Sequence, residues 1–146
     1  MTHEELSAVM NDLIRKHLKL PGWTFAWSGA RRRLGSCTGE TRTIRLSKYI
    51  VTASEAQQVD TALHEIAHAI DFERRGRTDH GDAWKRICVE VGARPERLAH
   101  DTGFTTPIKY TAVCACGRSL ARHRMRRGGV TYYCPCGRAV AWSVNY

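Results

Sequence analysis

The sequence predicts an α+β fold: helices packed on a small antiparallel sheet, followed by a small C-terminal unit organised by cysteines. Three observations lead there. Apolar residues recur at helical spacing in three separate stretches, near residues 4–18, 55–75 and 84–91. Trp23, Phe25 and Trp27 alternate with Thr24, Ala26 and Ser28, the period of a strand with one buried face. Beyond residue 107 the apolar periodicity stops, and two matched cysteine knuckles take its place. The expected division is therefore a main domain, 1–107, and a small basic domain, 108–146.

Bulk properties bound the classes. The 146 residues, 42% of them hydrophobic, suffice for one core and an appendage. No stretch approaches the ~20 apolar residues of a membrane span. Met1-Thr2-His3-Glu4-Glu5 lacks the basic-then-apolar build of a signal peptide. A cytoplasmic location without a membrane partner is the expectation. In that compartment the six cysteines read as metal ligands or buried thiols before disulfides. The net charge is +9, and it is uneven. All 14 acidic residues lie at or before Asp101, so the last 45 residues carry +7 of it. That asymmetry points to a polyanion, nucleic acid before a membrane; the plainer alternative is a basic face kept for solubility.

The first helix rests on Leu6, Val9, Met10, Leu13 and Ile14, one apolar stripe that Pro21-Gly22 ends. After the Trp23–Ser28 strand, Ser28-Gly29-Ala30 predicts a turn, and Arg31 to Cys37 a second strand. Thr38-Gly39-Glu40 turns again, and Thr41 to Leu46 reads as a third strand with Ile44 and Leu46 inward. Two successive hairpins would make the sheet antiparallel. Arg31 to Arg33 form either a solvated edge or a phosphate contact, and Cys37 a buried structural thiol. Ser54-Glu55-Ala56-Gln57 has the form of a capping box and starts the central helix, which Gly76 closes. Its apolar arc is Val59, Ala62, Leu63, Ile66, Ala69 and Ile70. Trp84, Ile87, Cys88 and Val91 mark a third helix closed by Gly92. Pro95 to Leu98 is a candidate short helix, and 101–107 a polar connection.

The central helix carries the chemistry. His64-Glu65-Ile66-Ala67-His68 is a His-Glu-x-x-His motif. Residues four apart share a helix face, so His64 and His68 can grip one zinc ion while Glu65 reaches a water on it. Catalytic zinc usually takes three protein ligands and leaves a fourth position for water. His80, at the mouth of the third helix, is the best third ligand, because it arrives from a second element. Asp71 is the rival, or else a group that orients a histidine.

In the tail, Cys114-Ala115-Cys116-Gly117 and Cys134-Pro135-Cys136-Gly137 offer four thiolates on two turns, a closed structural zinc site. So small a unit would take much of its stability from the metal. Between the knuckles, Arg118, Arg122, Arg124, Arg126 and Arg127 are the candidate nucleic-acid contacts, and Gly128-Gly129 suggests a hairpin tip.

Taken together, His64-Glu65-x-x-His68, the later His80-Gly81 leading into an aromatic-bearing helix, and the cysteine-rich tail resemble the SprT-like metallopeptidases, the family that includes Spartan. The resemblance spans about Trp23 to Trp142. It implies a minimal zincin-like domain with one catalytic zinc on His64, His68 and His80, Glu65 as general base, and a zinc ribbon holding a second, structural ion. In Spartan-like members it implies DNA-stimulated cleavage of proteins attached to DNA. The double Cys-x-Cys spacing departs from that pattern in the second knuckle. The compact length points to a bacterial or phage member. Two other readings compete: a nucleic-acid-binding zinc protein without proteolytic activity, and a general cytosolic peptidase indifferent to DNA. The sequence does not specify an oligomeric state.

Overall fold

A computed structural model describes residues 1–97 and 108–145. The chain divides into two compact units, Met1–Thr105 and Thr106–Tyr146. No helix among the described residues is long and apolar enough to cross a membrane.

The first unit opens with α1, His3–His17. Thr2 and Glu5 cap it reciprocally, each side chain bonding the other's backbone N–H. Leu6 and Met10 are fully buried, and Leu13 and Ile14 pack beside them. Three strands follow: β1 (Thr24–Ser28), β2 (Gly35–Thr38) and β3 (Thr43–Ser47). A 3-10 turn over Lys48–Thr52 leads to α2, Glu55–Arg75. Ser54 caps α2 by accepting from the Gln57 N–H, and Gly76 ends it at φ +71°, a left-handed position that favours glycine. The helix α3, Asp82–Val91, ends on Gly92 in the same way.

The sheet is mixed, not antiparallel. Its order is β1-β3-β2, with β1 parallel to β3 and β2 antiparallel to it. Alternation correctly marks β1 as a strand but does not name its neighbour. β3 takes the centre, paired along both edges, and its Ile44 and Leu46 are without exposure. A direct β1–β2 hairpin would leave it at an edge. The second strand is also shorter than expected and begins at Gly35. Arg31 to Arg33 lie outside the ladder: Arg32 and Arg33 are exposed, and Arg31 reaches over the Tyr49 ring at 6.0 Å.

The core gathers Leu6, Met10, Ile44, Leu46, Ile50 and Ile66 with the α3 residues Trp84, Ile87 and Cys88. The expected apolar arc of α2 is only partly inside. Ala62, Ile66 and Ala69 are fully buried, whereas Val59 is 36% exposed. What the arc omitted is a buried polar side: Gln57, Gln58, Thr61, Glu65, His68 and Asp71 are all buried. The reason is packing on several sides, since α1, α3, β2 and β3 all contact α2. Gln57 donates to Thr61 Oγ1 at 2.8 Å, and Gln58 donates to the Ala53 carbonyl at 3.1 Å. Pro95 to Arg97 are not helical; Leu98 and the connection 101–107 lie outside the described residues.

The second unit holds β4 (Tyr110–Val113), β5 (Ser119–Arg122), β6 (Tyr132–Tyr133), β7 (Ala139–Val140) and β8 (Ser143–Val144). One sheet runs β5-β4-β8 and another pairs β6 with β7. Each knuckle is the turn of one hairpin, β4–β5 or β6–β7. Because β5 and β6 belong to different sheets, Gly128-Gly129 is not a hairpin tip. It lies in the loop between them, both glycines at positive φ, +88° and +66°.

One close approach is diagnostic of the first unit's packing. A Cβ at Gly39 would fall 2.2–2.4 Å from the Phe72 ring of α2. Gly39→Ala should therefore destabilise the protein by about 1–3 kcal/mol, the usual cost of overpacking, as measured by denaturant unfolding.

Candidate active site

The helical repeat places His64 and His68 one turn apart on α2, with their ring centroids 5.0 Å apart. Past Gly76 the chain turns back, and the short segment before α3 returns His80 to them. His68 Nε2 lies 3.3 Å from His64 Nε2 and 3.1 Å from His80 Nε2. Two nitrogens on a tetrahedral zinc at about 2.0–2.1 Å are separated by about 3.3 Å. The three donor atoms all fall within 4.8 Å of one another, and the spacing fits one such ion.

Trp84 forms the floor of the cluster. Fully buried, it stacks on His68 at 4.9 Å and 19°, and meets His64 and His80 edge-on at 4.7 and 4.8 Å. Helical spacing marks Trp84 only as a core residue; contact with all three imidazoles depends on how α3 crosses α2.

Burial and the neighbouring imidazoles push His68 down to about 3, and burial with His80 nearby pushes His64 down to about 4. His80 is lowered by burial and by Arg97. All three rings are therefore neutral at pH 7, the form that ligates a metal. Glu65 is only 5% exposed, and burial raises its carboxyl to about 8 against the opposing pull of Arg33. Gly35 makes room for it. A Cβ there would stand 2.9 Å from both Glu65 Cγ and Oε1, so any side chain on that strand residue would displace the carboxyl. Cys37, half-buried on the same strand, is held at about 12 by burial and Glu65, an unreactive thiol.

Asp71, the alternative ligand, is not in the cluster. Its buried carboxylate faces Arg75, with Nε–Oδ1 and Nη2–Oδ2 both 2.7 Å. Burial alone would raise it, but Arg75 and Thr78 hold it below the usual carboxylate range. Thr78, which no sequence pattern singles out, hydrogen-bonds His68 Nδ1 at 2.7 Å.

In the second unit, Cys114 Sγ lies 3.5 Å from Cys136 Sγ, and Cys116 Sγ 3.6 Å from Cys134 Sγ. These separations are far too long for a disulfide of about 2.05 Å and near the about 3.8 Å edge of a tetrahedral zinc–thiolate site. The two knuckles are copies. Cys114 N–H donates to Arg118 O and Gly117 N–H to Cys114 O; Cys134 with Arg138 and Gly137 repeats both bonds. The Arg138 backbone N–H lowers the Cys136 thiol, while burial and hydrogen bonds to the other three sulfurs raise that of Cys134.

Of the five arginines, the structure gathers Arg122 and Arg126 around one ring. Their guanidiniums lie 4.9 and 6.0 Å from the Tyr132 centroid, and Arg122 Nε donates to the Arg124 carbonyl. Arg118 stands apart in the first knuckle, and Arg127 is exposed beside Gly128.

Three convergent imidazoles beside a buried glutamate, on an α+β scaffold, are the arrangement of a metallopeptidase-like domain. The SprT-like family profile matches residues 3–106, and the chain belongs to that family. No curated protein and no solved structure matches the chain.

Two measurements follow. Metal analysis of the purified protein should find two zinc ions per chain, one lost in His80→Ala and the other in Cys134→Ser. In chelated protein, His64 and His68 titrate near 6.5 when unfolded but only near 4 and 3 when folded. The unfolded state thus binds protons first, so their contribution to stability is intact above pH 6.5 and is lost as the pH falls toward 3–4. Thermal melts between pH 7.5 and 4.5 should show this decline, and the double His64→Ala/His68→Ala variant should flatten it.

Proposed function

We propose that the protein is a zinc-dependent endopeptidase that works on proteins at or near DNA. The observation that carries the catalytic half is the convergence of three imidazoles, His68 Nε2 lying 3.3 and 3.1 Å from the Nε2 atoms of His64 and His80, with Glu65 almost sealed from solvent on the helix that bears His64 and His68.

His64, His68 and His80 would hold the ion, which when bound supplies Lewis acidity and a water of pKa near 7. Glu65 is the general base. Beside a dication its carboxyl, raised by burial to about 8, would return toward the ionised form that a base needs. It takes the proton of the attacking water and delivers it to the leaving amine. Burial keeps the carboxyl from being solvated, and the space at Gly35 fixes where it points. Cys114, Cys116, Cys134 and Cys136 would hold the second, structural zinc.

The DNA half rests on charge. The seven cationic side chains after Asp101 face no acid in that part of the chain. Arg118, Arg124, Arg126 and Arg127 are exposed, and Arg122 is steadied by the Tyr132 face. Such a surface neutralises phosphates without reading sequence. Substrate choice would then come from proximity on DNA.

One digestion series tests both halves. Glu65→Gln should lower the cleavage rate at least about 10²-fold while leaving two zinc ions and the fold in place. Adding single- or double-stranded DNA should accelerate casein or histone cleavage by the unaltered protein, and raising the salt should remove the acceleration. Undiminished cleavage by Glu65→Gln refutes the base. Cleavage indifferent to DNA leaves a general peptidase, and zinc and DNA binding without cleavage leaves a nucleic-acid-binding protein.

A further inference from the structure

Asp71 is wholly buried, yet it stands outside the histidine cluster. What it does instead begins with Arg75, the last residue of α2. Arg75 Nε donates to Asp71 Oδ1 and Arg75 Nη2 to Asp71 Oδ2, both at 2.7 Å. Two parallel bonds of this kind hold the guanidinium plane in one orientation. Nη2 also donates to Asp79 Oδ1 at 3.1 Å, and the same oxygen accepts the Gly81 N–H at 2.9 Å. A carboxylate that bonds the backbone N–H two residues on closes an Asx-turn, and the residue enclosed here is His80.

The turn is tight. A Cβ at Gly81 would stand 3.0 Å from Asp79 Oδ1, although the φ of −80° there suits any residue. Glycine at this position answers to space, not to dihedral angle. A continuous run of hydrogen bonds thus joins Asp71, Arg75, Asp79 and Gly81. It starts on the helix that bears His64 and His68 and ends around the backbone of His80, whose Nε2 lies 3.1 Å from that of His68. Arginine suits the junction. Its planar fork can grip one carboxylate at two points and still donate to a second, whereas an ammonium is a single point charge.

We infer that Arg75 and Asp79 are positioning residues of the metal centre: together they clamp the turn that carries His80 to the helix that carries the other two imidazoles. Asp71 fixes Arg75 for that purpose, which accounts for a buried carboxylate that is no ligand. The inference rests on the reading of His64, His68 and His80 as metal ligands. A ligand ordered before the ion arrives does not have to be ordered by it, so binding is tighter. Loss of the groups that orient metal ligands typically weakens binding about 10–100-fold.

Asp79 is the better residue to change, since its side chain is 51% exposed and its loss leaves the buried Asp71–Arg75 pair whole. Asp79→Ala removes the acceptor, whereas Asp79→Asn keeps an oxygen for both donors. Arg75→Lys keeps the charge and loses the fork. Competition with a chromophoric chelator reads zinc affinity at each site, the histidine ion being the one absent from His80→Ala. Hydrogen exchange of the Gly81 amide, followed by NMR in chelated protein, reads the turn without any metal. Asp79→Ala and Arg75→Lys should bind the histidine zinc about 10–100-fold more weakly, with the zinc on the cysteines unaltered and the Gly81 amide exchanging faster. Asp79→Asn should stay close to the unaltered protein in both readouts. Unaltered affinity in Asp79→Ala overturns the inference. So does equal weakening of both zinc sites, or a folded Asp79→Asn as impaired as the alanine variant. Should the unaltered protein bind no zinc at the histidines, the metal reading falls, and Gly81 exchange in Asp79→Ala still decides the clamp.

Discussion

Three imidazole nitrogens, those of His64 and His80 lying 3.3 and 3.1 Å from that of His68, are the constraint on which the first unit depends. Neutral rings that turn lone pairs toward one another repel unless a proton or a cation lies among them. Burial has made the proton expensive, pressing His64 and His68 well below the ordinary histidine range. A cation is what the arrangement favours. The surrounding structure supplies rigidity: α2 fixes two rings one turn apart, and Trp84 backs all three.

That rigidity has a cost borne by α2. Its polar side is buried along with its apolar side, and buried polar groups without partners cost roughly 1–3 kcal/mol each. The helix avoids most of this by local pairing. Gln57 bonds Thr61, Gln58 bonds backbone carbonyls of the preceding turn, and Asp71 is satisfied by Arg75. Among the described residues of the helix the exception is Gln58 Oε1, buried without a partner. Glu65 lies in a site whose burial favours its neutral form. A buried carboxyl pushed toward its neutral form, adjacent in sequence to the first of the three imidazoles, marks a candidate functional group.

The second unit obeys a different economy. Among its described residues the buried nonpolar ones are Ala112, Cys114 and Cys134. So few cannot offset the chain entropy of some forty residues, at roughly 1–2 kcal/mol per residue for the backbone alone. A metal ion on the four thiolates would replace the missing core, and the two knuckles, built alike, each bring two sulfurs toward one point. With so little side-chain mass committed inward, the arginines are left on the surface.

Local features were legible in the chain wherever one element decides the outcome. Ser54 and Gly76 bound α2, the i, i+4 spacing pairs His64 with His68, and the two Cys-x-Cys-Gly turns form from their own residues. His80 was also within reach, because a third ligand had to arrive from the next element. The pairing of the sheet was not. Alternation in Trp23–Ser28 says that a face is buried, not which strand lies beside it, and β3 pairs with both of the others. Nor were Thr78, Gly35 and Trp84 identifiable as parts of the site. A hydroxyl, a missing side chain and an indole acquire their roles only from what they touch, and those partners come from other elements. The sequence by itself determined the donor atoms, since metal affinity lies in the chemistry of imidazole and thiolate. Tertiary packing alone decided their protonation and aim, because both depend on burial and on neighbours distant in the chain.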